Sequence, residues 1–186
     1  MFRAVLDACV LVPDLQRDFL LQLATEGSYS ALWGTGILFE LDYVLAELGR
    51  PEDRRAHLLG QMQAAFPGST IEAPKSGEYH YDVKDADDAH VVHAAIVGKA
   101  DAIVTDDTRS GMETSRSLSA ASVEVVRPYD FAANTVIAHP EAGHRAILQL
   151  AMRRQRPPTT PVQLLDTLRS RWRMEEVYEI LLPHLE

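Results

Sequence analysis

Residues 85–107, DADDAHVVHAAIVGKADAIVTDD, contain an acidic turn, an apolar helical pattern and a short apolar strand, in that order. The helical pattern ends at Gly98, and residues 102–105 predict a strand that stops at Asp106 and Asp107. A helix that leads at once into a buried strand is typical of parallel sheets, in which each crossover connection is helical. This stretch therefore predicts an α/β fold.

The same alternation continues on both sides of this stretch. Residues 2–6 predict a strand that ends at Asp7, and helical patterns follow from Pro13 and over residues 37–48 and 51–65. Further strands are predicted at residues 70–73 and 123–126. We expect three layers, α/β/α, with a central parallel sheet of four to five strands.

The alternation ceases after about residue 136. A helix is predicted around residues 140–153 and a last one after Thr160, where Pro161 and Gln163 complete a helix start. The sequence therefore predicts two domains, an α/β domain over residues 1–135 and a helical C-terminal extension over residues 136–186.

The amino-acid composition indicates in which cellular compartment the protein works and which partners it can bind. The single cysteine, Cys9, allows no internal disulfide, and we expect it to be a small buried hydrophobe of a cytoplasmic protein. No stretch has the roughly 20 apolar residues that a membrane span needs. The net charge of −9 alone argues against a nucleic-acid partner, but residues 140–186 carry seven Arg and six acids. The excess of acid thus lies in the first part of the chain.

Two acidic positions lie where parallel sheets gather functional groups. Asp7 and the pair Asp106 and Asp107 directly follow predicted strands, whose carboxyl ends border the crevice in such sheets. An Asp after a strand is also a common loop residue or helix cap, so each position alone is open to both interpretations. Two such positions in one sheet favour a shared site.

Asp88 and Glu40 are the other two candidates. Asp88 lies on the apolar side of its predicted helix, where an unpaired carboxylate needs a cation, a hydrogen-bond network or a raised pKa. Asp85 is predicted to be the N-cap of that helix, and Asp87 a solvated charge. Glu40 lies on the flank of an apolar stripe, which suits both a ligand at the rim of a crevice and an ordinary surface Glu.

Clustered carboxylates without other donors are what hard divalent ions such as Mg²⁺ and Mn²⁺ prefer. Zinc is disfavoured because the histidines lack metal-binding spacing, and we expect His90 and His93 on the outer face of their helix. The sequence also lacks a Walker A loop, a GxGxxG fingerprint and a GxSxG elbow.

At this point four segments together resemble the PIN-domain family, and in particular the VapC-type ribonuclease toxins of toxin–antitoxin systems. They are residues 5–11 (VLDACVL), 37–41 (ILFEL), 85–95 (DADDAHVVHAA) and 100–107 (ADAIVTDD). The third resembles the DxDDxHVxxAA signature of one PIN branch and the fourth its (A/G)DxIVTxD/N segment. The match runs in order through about 130 residues.

The resemblance implies that Asp7, Glu40, Asp88 and Asp107 are the catalytic and metal-binding acids, with Asp106 as the competitor for the fourth place. It further implies an Mg²⁺ or Mn²⁺ cofactor, cleavage of single-stranded or looped RNA, a homodimer and, for a toxin, a small antitoxin partner. The usual Asn two residues after the first Asp is Cys9 here.

An acidic site that acts on RNA needs positive charge nearby. The candidates are Arg109, Arg116, Arg153, Arg154, Arg156, Arg169, Arg171 and Arg173. For each of them a solvated helix face or a polar linker is an equal alternative. Trp172 and Tyr178 are expected to pack the last helix, with base stacking as the alternative.

Three alternatives to a catalytic PIN domain make different demands on the sequence. A haloacid dehalogenase phosphatase would need an acid where Cys9 stands, and a receiver domain would need an adjacent acid pair near its start and a lysine at a later strand end. A non-catalytic PIN module that acts through protein contacts remains the alternative function.

Overall fold

The computed structural model describes residues 1–154 and 156–185. The strands are β1 (Arg3–Leu6), β2 (Ser30–Gly34), β3 (Thr70–Ile71), β4 (Ala102–Val104) and β5 (Glu124–Val126). The helices are α1 (Ala8–Leu11), α2 (Asp14–Thr25), α3 (Thr35–Glu47), α4 (Glu52–Ala65), α5 (Ala89–Val97), α6 (Arg116–Ala120), α7 (Pro128–Ala138), α8 (Pro140–Arg153), α9 (Pro161–Trp172) and α10 (Glu175–Leu181). Short 3₁₀ turns cover Ala86–Asp88, Met112–Thr114 and Leu182–His184.

The five strands form one parallel sheet in the order β3-β2-β1-β4-β5. In the register, Val5 of β1 pairs with Leu32 on one side and with Ile103 on the other. The chain thus builds outward from β1 through β2 and β3, and then crosses to place β4 against the free edge of β1. The neighbours β1 and β4 therefore flank the topological switch point, where open α/β sheets form their crevice.

The predicted α/β/α architecture with a parallel sheet and C-terminal helices is confirmed. Strand β2 was not predicted, because its apolar run Ala31-Leu32-Trp33 is short and is bordered by small polar residues and glycines. All three side chains of that run are buried. Helix α7 was not predicted either, because a proline shortly after an apolar run indicates the end of a strand. In the structure Pro128 lies in the first turn of α7, where its missing N–H needs no partner.

The chain packs as two compact units, residues 1–12 with 30–126 and residues 13–29 with 127–186. The first, the sheet unit, contains the whole sheet. The second, the helical unit, contains α2 and α7 to α10. The division of the sequence at residues 135 and 136 stays a prediction; in the structure the helical unit also contains α2 and α7.

The start of α9 follows the predicted pattern. Thr160 accepts a hydrogen bond from the backbone of Gln163, whose side chain accepts one from the backbone of Thr160. Of the helices that the described residues form, none combines the length and the apolar character needed to cross a bilayer.

Candidate active site

The four predicted acids line one cavity of the sheet unit. Asp7, Glu40, Asp88 and Asp107 border a space of about 670 Å³. Each comes from a different element: the end of β1, the second turn of α3, the 3₁₀ turn before α5 and the loop after β4. The parallel topology brings these segments together, because carboxyl ends of parallel strands share one edge of the sheet.

Asp7 is the most firmly held of the four, and only 7% of its surface is exposed. Its Oδ1 accepts a hydrogen bond of 2.7 Å from the backbone N–H of Ala8, which caps α1. Its Oδ2 accepts one of 2.7 Å from the Thr105 hydroxyl and a longer one from the Cys9 thiol. Burial raises the pKa of Asp7 despite these hydrogen bonds.

Glu40 lies between a lysine and a histidine. Lys75 donates a hydrogen bond to its Oε1, and Nε2 of His90 lies 3.4 Å from its Oε2. Burial raises the pKa of Glu40, but the contacts with His90 and Lys75 outweigh burial and leave the pKa lowered. Neither contact was predicted: Lys75 belongs to an irregular segment without periodic pattern, and His90 was expected on the outer face of its helix.

The expected outer-face position of His90 is wrong. Only 1% of His90 is exposed, because α5 packs against β1, β2, β4 and α3 and is therefore buried on most of its circumference. His93 is half-buried, and its Nδ1 lies 2.9 Å from the hydroxyl of Tyr81. An apolar stripe alone underestimates how much of such a helix is covered.

Asp88 ends the 3₁₀ turn that precedes α5, and Asp85 caps this turn as predicted by accepting a hydrogen bond from the backbone of Asp87. One oxygen of Asp88, Oδ2, is buried and has no hydrogen-bond partner among the described residues. Burial, followed by the negative charges of Asp7, Asp107, Asp85 and Glu40, raises the pKa of Asp88 to about 7. A nearby cation would give this oxygen a partner and would lower the pKa of Asp88.

Of the two candidates for the fourth acid, Asp107 borders the cavity and Asp106 does not. Asp107 lines the cavity, its backbone N–H donates to the Thr105 hydroxyl, and its Oδ1 accepts from the backbone N–H of Arg109. Asp106 is exposed, does not line the cavity, and donates its N–H to the sulfur of Cys9.

The site fits a hard divalent cation in its donor type. Within residues 1–154 and 156–185, no three acidic, histidine or cysteine side chains are grouped as a ready-made metal cage. Glu40 is engaged with Lys75, and the raised pKa of Asp88 reflects first its burial and then the negative charges of the neighbouring acids. Four carboxylates around one cavity, one of them with a buried oxygen lacking a partner, nevertheless offer the oxygen ligands that Mg²⁺ and Mn²⁺ take. Small side-chain movements would have to bring them onto one ion.

Apart from Lys75, the remainder of the cavity is largely apolar. Phe39 and Tyr43 of α3 line it with 63% and 58% of their surfaces exposed, together with Val44. The expectation that Cys9 is a buried hydrophobe is wrong: the residue is exposed and lines the cavity. Its sulfur is nevertheless held against Asp7 and Thr105, and desolvation of the sulfur there, followed by the charge of Asp7, raises the pKa of the thiol to about 12. Cys9 is therefore a neutral thiol and a poor nucleophile.

The arginines that were candidates for RNA contact lie in both units. In the sheet unit, Arg109 is exposed and Arg116 lies 3.6 Å from Asp82. In the helical unit, Arg153, Arg154 and Arg156 line a cleft of about 590 Å³. Arg154 pairs with Asp18 at 2.9 Å. Their contact with RNA stays a prediction.

Two further arginines of the helical unit, Arg169 and Arg173, pack against its aromatic side chains. Arg169 lies over the ring of Tyr178 and Arg173 over that of Tyr129, at 4.1 and 4.4 Å from the ring centres. Trp172 and Tyr178 are half-buried.

The fold and this cavity define an α/β protein with an acidic pocket at the carboxyl edge of a parallel sheet. The chain belongs to the PIN-domain family: the model of the family described as "PIN domain" matches residues 3–109, more than half of the chain. All four acids lie within the matched residues. Comparison with curated proteins and comparison with solved structures gave no significant match. Family membership indicates a nuclease-type function.

Proposed function

We propose that the protein is a metal-dependent endoribonuclease that hydrolyses RNA phosphodiester bonds, with Asp7, Glu40, Asp88 and Asp107 as the ligands of Mg²⁺ or Mn²⁺. The observation that carries the proposal is that these four carboxylates, far apart in sequence, line a single cavity at the switch point of the sheet. Nuclease-type function is general to the family; the RNA substrate and the metal are proposed.

A divalent ion, when bound, would lower the pKa of a coordinated water and neutralise charge on the phosphate. The task of the protein is to hold the ligands. Asp7 is fixed by Ala8 and Thr105, and the buried oxygen of Asp88 is available to a cation. In the net reaction the oxygen of water bonds to phosphorus, the bond to one ester oxygen breaks, and that oxygen gains a proton as the attacking water loses one.

The proposed biological role is that of the toxin of a type II toxin–antitoxin pair in the cytoplasm. A partner that covers the cavity would have to match apolar side chains, Phe39 and Tyr43, beside acidic ones. The net charge of −9 suits a partner that carries basic groups. A homodimer is proposed from the family resemblance. Growth arrest on expression of the wild type, and normal growth with Asp7→Asn, would be the expected result for a toxin.

The direct test is cleavage of a single-stranded RNA oligonucleotide by wild type, Asp7→Asn and the control Asp53→Asn. Asp53 is an exposed acid in the first turn of α4. We expect the wild type and the control to cleave with Mn²⁺ or Mg²⁺ and not with EDTA, and Asp7→Asn to remain folded but inactive. Full activity of Asp7→Asn would reject the assignment. A folded wild type that cleaves no RNA under any of these conditions would favour the non-catalytic PIN module.

A further inference from the structure

A lysine outside the predicted acid set lies at the centre of the candidate site. Lys75 follows β3 in an irregular segment, and the backbone of Ala73, two residues before it, is fixed over the first turn of α3. The N–H of Gly36 donates to the carbonyl of Ala73 at 2.9 Å, and the N–H of Ala73 donates to the hydroxyl of Thr35 at 3.1 Å. The side chain of Lys75 therefore starts from a defined point beside the cavity.

The ammonium group of Lys75 is the only cationic group among the described residues that line this cavity. It donates to Oε1 of Glu40, and 36% of its side chain is exposed. An ammonium has three N–H donors, and this hydrogen bond uses one of them. Lys75 is thus both tied to a proposed metal ligand and accessible from the cavity.

Two cations would compete for the same carboxylate if the proposed function is right. The side chains of Lys75 and Glu40 are 36% and 20% exposed, so solvent reaches this ion pair, and a divalent ion with twice the charge of an ammonium would compete with Lys75 for Glu40. The displaced ammonium would stay within reach of the cavity, because Lys75 lines it and follows two residues after the fixed backbone of Ala73. Once displaced from Glu40, the ammonium of Lys75 would have no negatively charged partner. A phosphodiester that enters this acidic cavity would supply one.

We propose that Lys75 is a further catalytic residue with two successive partners: Glu40 before metal binds, and a non-bridging oxygen of the scissile phosphate afterwards. This role rests on the proposed nuclease function. It assigns to Lys75 a contact with substrate, in addition to the contact with Glu40 seen in the structure. The alternative is that Lys75 only neutralises Glu40. A substitution of Lys75 would then change the affinity for metal but not the contact with substrate.

The test compares Lys75→Met and Lys75→Arg with the matched control Lys99→Met. Lys99 is exposed and lies beyond the other end of α5, next to Ala100 and Asp101 at the amino edge of the sheet. Calorimetric titration with Mn²⁺ alone measures metal affinity without activity. Cleavage of single-stranded RNA at saturating Mn²⁺, over a range of salt concentrations, measures substrate contact.

We expect Lys75→Met to bind Mn²⁺ at least as tightly as the wild type, because a competitor for Glu40 is removed. At saturating Mn²⁺ its kcat/KM should nevertheless fall about 10- to 100-fold, since a cation at the developing charge is lost. The slope of log(kcat/KM) against log salt should become shallower by about 0.7, the value for one phosphate contact on a single strand. Lys75→Arg should retain most activity, and Lys99→Met should match the wild type throughout.

Full kcat/KM for Lys75→Met at saturating Mn²⁺, or an unchanged salt slope, would overturn the substrate contact while the wild type stays active. If Lys75→Met bound Mn²⁺ more weakly but regained full cleavage at a higher Mn²⁺ concentration, Lys75 would act only through Glu40 and would not contact the substrate. A wild type without metal-dependent cleavage would overturn the proposed function itself, and this role with it. The activity of the wild type therefore separates the two failures.

Discussion

The Thr105 hydroxyl donates a hydrogen bond of 2.7 Å to Oδ2 of Asp7. The same oxygen of Thr105 accepts one of 3.0 Å from the backbone N–H of Asp107. Because Asp7 follows β1 and Thr105 follows β4, this hydroxyl ties together two neighbouring strand ends and two of the four acids. Thr105 is fully buried, so water does not compete for these bonds.

Replacement of Thr105 by valine should therefore damage both stability and the site. Asp7 would lose its shortest side-chain partner, and we expect the free energy of unfolding to fall by about 1.5–3 kcal/mol, as for hydrogen bonds to charged groups. RNA cleavage should fall about 10- to 100-fold, because small displacements of catalytic groups have large effects on rate. Urea unfolding and cleavage assays on the same preparation measure the two effects.

Thr135→Val is the matched control for that variant. Thr135 is a buried threonine of the helical unit, and its hydroxyl donates to the carbonyl of Phe131 within α7. We expect some change in stability and unchanged cleavage. An equal loss of activity in both variants would mean that Thr105 acts through general stability and not through Asp7.

Gly36→Ala should disturb the segment that carries Lys75. A Cβ at Gly36 would lie 2.8 Å from the carbonyl oxygen of Ala73, the backbone nitrogen of Lys75 and Nδ1 of His90. These are largely backbone atoms that cannot move aside easily, so we expect a loss of about 1–3 kcal/mol in the free energy of unfolding. Thermal or urea unfolding measures it.

The corresponding substitution in α4, Gly60→Ala, should have the opposite sign. No atom lies within 4 Å of a Cβ at Gly60, which is exposed inside the helix. Alanine is the better helix former by about 0.5–1 kcal/mol, so this variant should be more stable than the wild type. If Gly36→Ala were as stable as Gly60→Ala, the close packing over the first turn of α3 would be refuted.

Asp88 should make stability depend on pH when divalent ions are removed. Its folded pKa of about 7 lies above the ordinary value of 3.8. A carboxyl with a raised folded pKa stabilises the protein below its unfolded pKa, and this contribution is lost as the pH rises through the folded pKa. With EDTA, the stability of the wild type relative to Asp88→Asn should therefore fall between about pH 4 and pH 7.

Urea unfolding of both proteins at several pH values checks this dependence. Excess Mn²⁺ should reverse the loss near pH 7, because a bound cation favours the ionised carboxylate. A stability difference between the two proteins that stays constant over this pH range would contradict a pKa of Asp88 raised by burial and by the neighbouring acids.

The sequence allowed the fold to be predicted because its strands are apolar runs bounded by clear stops, such as Leu6 before Asp7 and Val104 before Thr105. It did not reveal β2, whose apolar run is short, or the start of α7 at Pro128. Burial of His90 depends on three strands and a helix that pack around α5, which no local pattern contains.

The positions of three of the candidate acids could be predicted because they lie at the ends of predicted strands and helices. Asp7 and Asp107 are placed by the ends of neighbouring strands, and Asp88 by the start of a helix, so local patterns carry their positions. Lys75 reaches Glu40 only through the tertiary contact of its segment with Gly36, and that contact has no signature in the sequence.

Diffraction from Mn²⁺-soaked crystals of the wild type, recorded on both sides of the manganese absorption edge, tests the central claim most directly. The account predicts an anomalous peak in the cavity, about 2.0–2.3 Å from oxygens of at least three of the four acids, with Lys75 no longer bonded to Glu40. A cavity without such a peak at saturating Mn²⁺, or manganese bound elsewhere on the protein, would contradict it.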